Sequence, residues 1–393
     1  MRFLFCLLAF ACLGMGPTNK YRDAALSFEE VINENYAYLD RLPDGRFALT
    51  ETLRAEAAAV DDDEDLIRFA ERSLTLLADH HALTMSSFAD SWQLVPTGTD
   101  IWVEPRENGY VVDAVRENSP AERAGICNGN VVVAINGMPM AIAVAAFWRE
   151  LGLTQPPSRA WDGFAARTLV AGRRNGGRTL TIRKSDGRHR DVDLPAFHTS
   201  GAKTDFITTG QAADALRIRV EDSLGDNATI AAFDAAMMQA APGQPVIIDL
   251  TNTPGGGNTV VAKGILGWFA DKPTPYQMHG LPRVARATGI ERWWQELVMP
   301  REGKLHDGPV TVRVGRWTGS MGEGLAIGFD ALGARVEGTR MAGLRGAIYD
   351  LELGDTGEFI KLPVERLFAI AGTPREEFVP EPAPVTRCAR GGP

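Results

Sequence analysis

Residues 246–250 read VIIDL, apolar at every position but Asp249. A strand with so little polar alternation has no face to give to water, so helices must cover both of its sides. The neighbouring pattern agrees. ALRIRV at 215–220 predicts a strand and 228–240 a helix; a second helix is expected over 260–269 after a Gly-rich turn, and VTVRVG at 310–315 predicts a strand leading into another helical stretch. Residues 198–385 therefore read as an α/β core, with 386–393 as a tail.

Two further regions precede this core, and 393 residues suit two or three domains. Within 17–95, Phe28, Val31, Ile32 and Tyr36 recur at spacings of three and four, and Ile67, Phe69, Leu74 and Leu77 continue after DDDED. This predicts a small N-terminal helical region. From 96 to 197 the chain changes to short strands with Gly and Asn turns, among them VVVAING and RTLTIRKSDGRHRDVDLP. The opening MRFLFCLLAFACLGMG has one Arg, an apolar stretch and small residues near its end, so residues 1–16 are expected to be a signal peptide for periplasmic or secreted export. That run is shorter than the ~20 residues a spanning helix needs, so no transmembrane span is expected in the mature chain. Ala9-Phe10-Ala11 before Cys12 is a weak form of a lipoprotein box, with Ala9 where Leu is preferred, and a lipid anchor at Cys12 is the lesser expectation.

Charge and rare residues exclude other roles. With 41 Lys and Arg against 50 Asp and Glu, the net charge of −9 offers no general basic surface for phosphates, and nucleic acid is not an expected partner. Cys6 and Cys12 lie in the apolar opening, leaving Cys127 and Cys388, and the six His residues form no H-E-x-x-H. No metal site and no cofactor is expected from this inventory.

The string GYVVDAVRENSPAERAGICNGNVVVAING, 109–137, resembles a PDZ domain of the bacterial protease type. Ser119-Pro120-Ala121 starts a short helix, Gly125 can end it in a left-handed conformation, and Asn128-Gly129 suits a tight turn. Such domains bind an extended peptide at a sheet edge and hold its terminal carboxylate on backbone amides. The expected partner is a protein or peptide substrate, held by its C-terminus; a β-domain serving only as spacer or lid is the alternative.

In VGRWTGSMGEGLAIGFDALG, Ser320 lies between glycines, after an apolar strand and before a helical run. There it meets the positive end of a helix dipole, as nucleophilic serines do. It can equally be a helix cap, completed by Glu323 three residues on. A second Gly-rich turn, IIDLTNTPGGGN, follows the VIIDL strand, and Gly255 or Gly256, with the Met321 N–H, can line an oxyanion hole.

Taken together, the PDZ-like string, D-L-x-x-x-P-G-G-G and G-S-x-x-E resemble the S41 family, the C-terminal processing (tail-specific) and tricorn-type peptidases. The resemblance spans roughly 70–385 and implies an α/β peptidase core of the ClpP/crotonase class with a PDZ-like β-domain and an N-terminal helical region. Processing members use a Ser-Lys dyad. In this chain GTRMAGLRGA puts Arg345 at the lysine position, 25 residues after Ser320, and an arginine keeps its proton at pH 7. Arg345 is expected instead to position a carboxylate. Tricorn-type members use an upstream His and a downstream Glu. LLADHHALT resembles their histidine motif, placing His81 as the base and His80 before it, and TPREEFVPEP offers Glu376 or Glu377 to orient the imidazole. With an ordinary pKa of about 6.5, His81 would give a basic limb near pH 7. An α/β-hydrolase, whose His follows its Ser, is excluded because no His follows Ser320.

The expected function is an exported serine peptidase. The alternatives are a peptide-binding adaptor with a decayed site, for which Arg345 argues, and a crotonase-like acyl-CoA enzyme, which has no use for a PDZ-like domain.

Overall fold

The computed structural model describes residues 19–197, 205–221 and 223–383; the expected signal segment, Cys12 and the 386–393 tail lie outside them. Four helices come first, α1 (Lys20–Leu26), α2 (Phe28–Asn35), α3 (Glu51–Ala59) and α4 (Asp63–Thr75). Asn19, Thr50 and Asp62 cap α1, α3 and α4 by accepting backbone N–H groups that helix starts leave unpaired. A two-residue strand, β1 (Leu83–Thr84), follows.

The middle unit runs β2 (Ile101–Arg106), β3 (Gly109–Val115), α5 (Pro120–Arg123), β4 (Val131–Ile135), β5 (Met138–Pro139), α6 (Met140–Arg149), α7 (Arg159–Ala171), β6 (Arg178–Arg183) and β7 (His189–Leu194). Its antiparallel sheet is ordered β2-β3-β4-β6-β7. Ser119 caps α5 through Glu122 N–H, and Asn136-Gly137, both at positive φ, close the two-residue hairpin from β4 to β5. Helices α6 and α7 depart from the expected run of short strands. In α6, Ala143, Val144, Phe147 and Trp148 share one buried face, a helical spacing inside what reads as a strand-rich stretch. Helix α7 lies along β2: Arg159 donates to the Pro105 carbonyl, and a Cβ on Gly163 would come within 3.3 Å of the Pro105 ring.

The third unit holds β8 (Ile207–Ala212), β9 (Ala215–Val220), α8 (Ala228–Met237), β10 (Val246–Asp249), α9 (Thr259–Leu266), β11 (Thr274–Gly280), α10 (Pro282–Thr288), β12 (Trp293–Val298), β13 (Val310–Val314), α11 (Met321–Ala331), β14 (Arg335–Gly338), β15 (Ala347–Glu352), β16 (Phe359–Phe368) and β17 (Glu381–Pro382). Its main sheet is ordered β17-β14-β13-β10-β9-β8, parallel throughout except for β8. Val246, Ile248 and Leu250 are buried in one cluster with Val261, Ile265, Leu325 and Phe329, so helices α9 and α11 cover that face. Among the described residues the expected covering of the other face is absent: half-buried Ile247 lies between Arg217 and Thr311, and Asp249 pairs with Arg217, so polar side chains rather than a helix finish that side. Helices α8 and α9 each stop three residues short of the expected ends. A second sheet is ordered β1-β16-β11-β12, with β15 on β16.

Two features fold the N-terminal region back on the third unit. Leu83 pairs with Lys361 and Thr84 with Ile360, which ties β1 to β16. Leu353, Ile360 and Leu362 also belong to the same apolar core as α1–α4 and the middle sheet. The middle unit is fastened close by: Trp317 donates its indole N–H to the Thr99 carbonyl, and buried Arg316 pairs with Asp113 at 2.8 Å and Glu104 at 3.2 Å. Among the described residues no helix is long and apolar enough to cross a membrane.

Candidate active site

Two turns meet at the C-terminal ends of β10 and β13. Thr318 Oγ1 donates to the Leu250 carbonyl, Gly319 N–H to the Thr253 carbonyl, and Thr253 Oγ1 to the Val220 carbonyl. A Cβ on Gly319 would stand 2.9 Å from the Pro254 carbonyl oxygen, so a side chain there would force the turns apart. Ser320 follows at φ 53°, ψ −116°, outside the comfortable regions for a residue with a Cβ, and it precedes α11. Strain of this kind at a helix entrance presents the side chain toward solvent. Gly256 faces it: a Cβ there would lie 3.6 Å from Ser320 Oγ, with Gly255 its neighbour in the turn. Met321 is the first residue of α11, and its N–H has no partner within the helix.

His81 arrives from the other end of the chain. Helix α4 ends at Thr75, Ala78 reverses the backbone at φ 44°, and Asp79 Oδ1 accepts the His81 N–H at 3.0 Å. The imidazole is buried, with Nε2 3.0 Å from Ser320 Oγ and Nδ1 2.6 Å from the Arg345 carbonyl oxygen. A carbonyl can only accept, so Nδ1 carries the proton and Nε2 is left as the acceptor of the serine O–H. Burial, followed by the charge of Arg375, lowers the His81 pKa to about 4, against the opposing bond to the Arg345 carbonyl. The ring is therefore neutral at pH 7, and the basic limb belongs well below the value near 7 that an unperturbed histidine would give. His80 turns away from the serine, stacks on Phe164 at 4.3 Å and accepts from Arg167 Nε–H at 3.3 Å.

The cleft over these groups has a volume of about 490 Å³, with Leu94, Leu344 and Ile348 among its walls and Lys361, paired to Asp350 at 2.6 Å, on its rim. Among the described residues no group of three His, Cys, Asp or Glu side chains is placed to hold a metal ion.

Residues 111–144 match the family described as PDZ domain. No curated protein sequence matches the chain. Two solved structures are similar over almost the whole length. The photosystem II D1 C-terminal processing protease has a TM-score of 0.53 and 14% identity, covering 92% of this chain and 93% of that one. Mature CPAF has a TM-score of 0.56 and 14% identity, covering 93% and 92%. The chain has the fold of the C-terminal processing proteases, the S41 family.

On this S41 fold the expected carboxylates do not reach the imidazole. Glu376 lies beside Tyr38 Oη at 3.4 Å and Arg41 at 3.6 Å, and Glu377 pairs with Arg41 at 2.5 Å. They cluster there because Arg41 draws both, while the Arg345 carbonyl already fills the Nδ1 position. Arg345 does meet a local carboxylate, though not near the serine: its Nη1 donates to Tyr36 Oη at 3.1 Å and lies 3.7 Å from Asp79. Burial opposes its charge, but Asp79 and Tyr36 outweigh burial and hold its pKa above the ordinary arginine range.

Glu323 does more than cap. Its carboxylate is wholly buried and accepts three backbone N–H groups, from Ser320 at 2.9 Å, Gly343 at 2.9 Å and Leu344 at 3.2 Å. Burial raises its pKa to about 7, against the charge of Arg375 and the bonds from Gly343 and Ser320, which favour the anion. Two residues escaped sequence reasoning. Asp79 sits inside the quoted LLADHHALT string and was passed over for the histidines beside it. Arg375, next to the two glutamates, is only 2% exposed, and nothing in TPREEF marks it as buried.

Proposed function

We propose that the chain is a serine peptidase acting on protein or peptide substrates, with Ser320 as nucleophile and His81 as base. The observation that carries this is the 3.0 Å approach of His81 Nε2 to Ser320 Oγ, with Nδ1 anchored on a carbonyl. Ser320 Oγ attacks the substrate carbonyl carbon as its proton passes to Nε2, and the imidazolium then returns that proton to the leaving amine. Water, deprotonated by the same imidazole, hydrolyses the acyl-enzyme. The Met321 N–H and a Gly255 or Gly256 N–H face the developing oxyanion, where preorganised donors contribute most. Arg345 keeps its proton and takes no part as base.

Export fits this reading. The 1–16 segment supplies the signal. The substrate is an extended peptide, with the PDZ domain as a second holding point for its C-terminal part.

The test is labelling by a fluorophosphonate together with casein hydrolysis. Wild type should react in both assays, Ser320→Ala in neither, His81→Ala at background rate, and His80→Ala close to wild type. Undiminished cleavage by Ser320→Ala would end the serine-peptidase reading, and an inert wild type with a well-folded site would favour the adaptor.

A further inference from the structure

We infer that Arg375 is a positioning residue for the candidate nucleophile: by gripping the carbonyls on either side of Arg345, it aims the Arg345 carbonyl at His81. The proposal rests on the His81–Ser320 reading above. Arg375 Nη2 donates to the Leu344 carbonyl at 3.0 Å and to the Gly346 carbonyl at 2.8 Å, leaving the carbonyl between them to His81 Nδ1. Glu323 holds the same segment from its N–H side, through Gly343 and Leu344, and holds Ser320 N–H with the same carboxylate. The contacts close a ring: Ser320 to Glu323, Glu323 to 343–344, Arg375 to 344 and 346, the Arg345 carbonyl to His81, and His81 back to Ser320. The Glu323 carboxylate and the Arg375 Nη2 thus do what a carboxylate on Nδ1 does elsewhere, fixing the tautomer and the ring plane.

Arg375 also acts through its charge. The groups facing the imidazole are Asp79 on its own segment, Ser320 from the entrance of α11, the Arg345 carbonyl and Arg375, with Glu323 behind the serine and the Asp350–Lys361 pair on the cleft rim. Burial is the larger cause of the neutral ring, and of these groups the Arg375 cation adds to it by disfavouring the imidazolium. A buried arginine that served only to hold the fold would not set the tautomer.

The experiment compares wild type, Arg375→Lys and Arg375→Met as full chains, reading the fluorophosphonate inactivation rate from pH 4 to 9, kcat and KM on a peptide, and the His81 ring tautomer by nitrogen-15 NMR. Arg375→Met should lose at least about tenfold in inactivation rate and kcat with KM within about twofold, as misaimed groups do. Its acid limb should rise by about one pH unit, and His81 should lose its single Nδ1–H tautomer. Arg375→Lys keeps the charge but not the fork, so its limb should stay in place while the rate drops. A folded Arg375→Met with wild-type limb and tautomer would overturn the proposal. If Arg375→Met does not fold, an unchanged rate in Arg375→Lys overturns it and a lowered rate at an unmoved limb supports it. Wild type inert to the fluorophosphonate would instead defeat the peptidase reading, and the tautomer measurement would still decide the positioning claim.

Discussion

Ser320 keeps a side chain at φ 53°, where glycine is at ease and other residues are strained by about 1–3 kcal/mol. That strain is independent of the hydroxyl, so two inactive variants separate it from chemistry. Ser320→Gly should melt above Ser320→Ala by about 1–3 °C, although both lose labelling; calorimetry of the pair checks it, and equal melting would mean the turn relaxes. Arg345 makes a second point at this scale. Its guanidinium faces Tyr36 and Asp79 while its carbonyl faces His81, so the position matters through the backbone. Arg345→Lys should therefore give no gain in peptide hydrolysis at pH 8, and a loss of about two- to tenfold as the Tyr36 contact weakens. A large gain would show a lysine acting as the base and would dismiss His81.

Helix α7 matters most at the scale of elements, because it adds to the PDZ sheet something the strand pattern does not announce. β2 and β7 are the two edges of that sheet, and α7 already occupies β2. Arg159 takes the Pro105 carbonyl, Tyr110 bonds Asp162 at 2.8 Å, and Arg167 lies 5.1 Å over the Trp102 ring. A peptide adding to β2 would have to displace all of these, and Pro105 has no N–H to offer it. Hydrogen exchange with and without a saturating C-terminal peptide should leave Ile101–Arg106 unchanged. New protection there would mean that α7 swings away to admit the peptide.

For the molecule as a whole, the buried groups of the site set how stability follows pH. The folded His81 titrates at about 4 against about 6.5 in an unfolded chain, so between those values acid protonates the unfolded state alone and removes stability, on the order of 3 kcal/mol in full. Glu323 has the opposite sign. Its folded pKa of about 7 lies above the ordinary 4.5, so its contribution is greatest below pH 4.5 and is lost as pH rises toward 7. The two offset each other between about pH 4.5 and 6.5, so Glu323 cancels part of the loss in acid that buried His81 and His80 bring, and wild-type stability should fall only gently there before falling in stronger acid. Glu323→Gln removes one arm, so its stability in urea should decline more steeply from about pH 6.5 downward. Parallel curves for the two proteins would show that Glu323 stays an anion throughout.

Much of this was legible in the chain. VIIDL marked the central strand, though helices cover only its Val246–Ile248–Leu250 face, and the Ser-Pro-Ala helix and Asn-Gly turns appear where local rules put them, because turn and cap preferences act within a few residues. Ser320 was singled out at a glycine-flanked turn and His81 through the resemblance carried by LLADHHALT, and folding brings them within 3.0 Å across 239 positions of sequence. Helix α7 was missed because a segment buried on nearly every side shows no clear period, and α6 because MAIAVAAF is apolar on its exposed side as well as its buried one. Only the tertiary structure decided what touches His81 Nδ1. The sequence offered Glu376 and Glu377, whose chemistry is written in their side chains, but the position went to a backbone carbonyl. Every residue carries that group, so no residue type can announce it; its aim depends on Glu323 and Arg375, which meet the 343–346 segment only once the chain has folded.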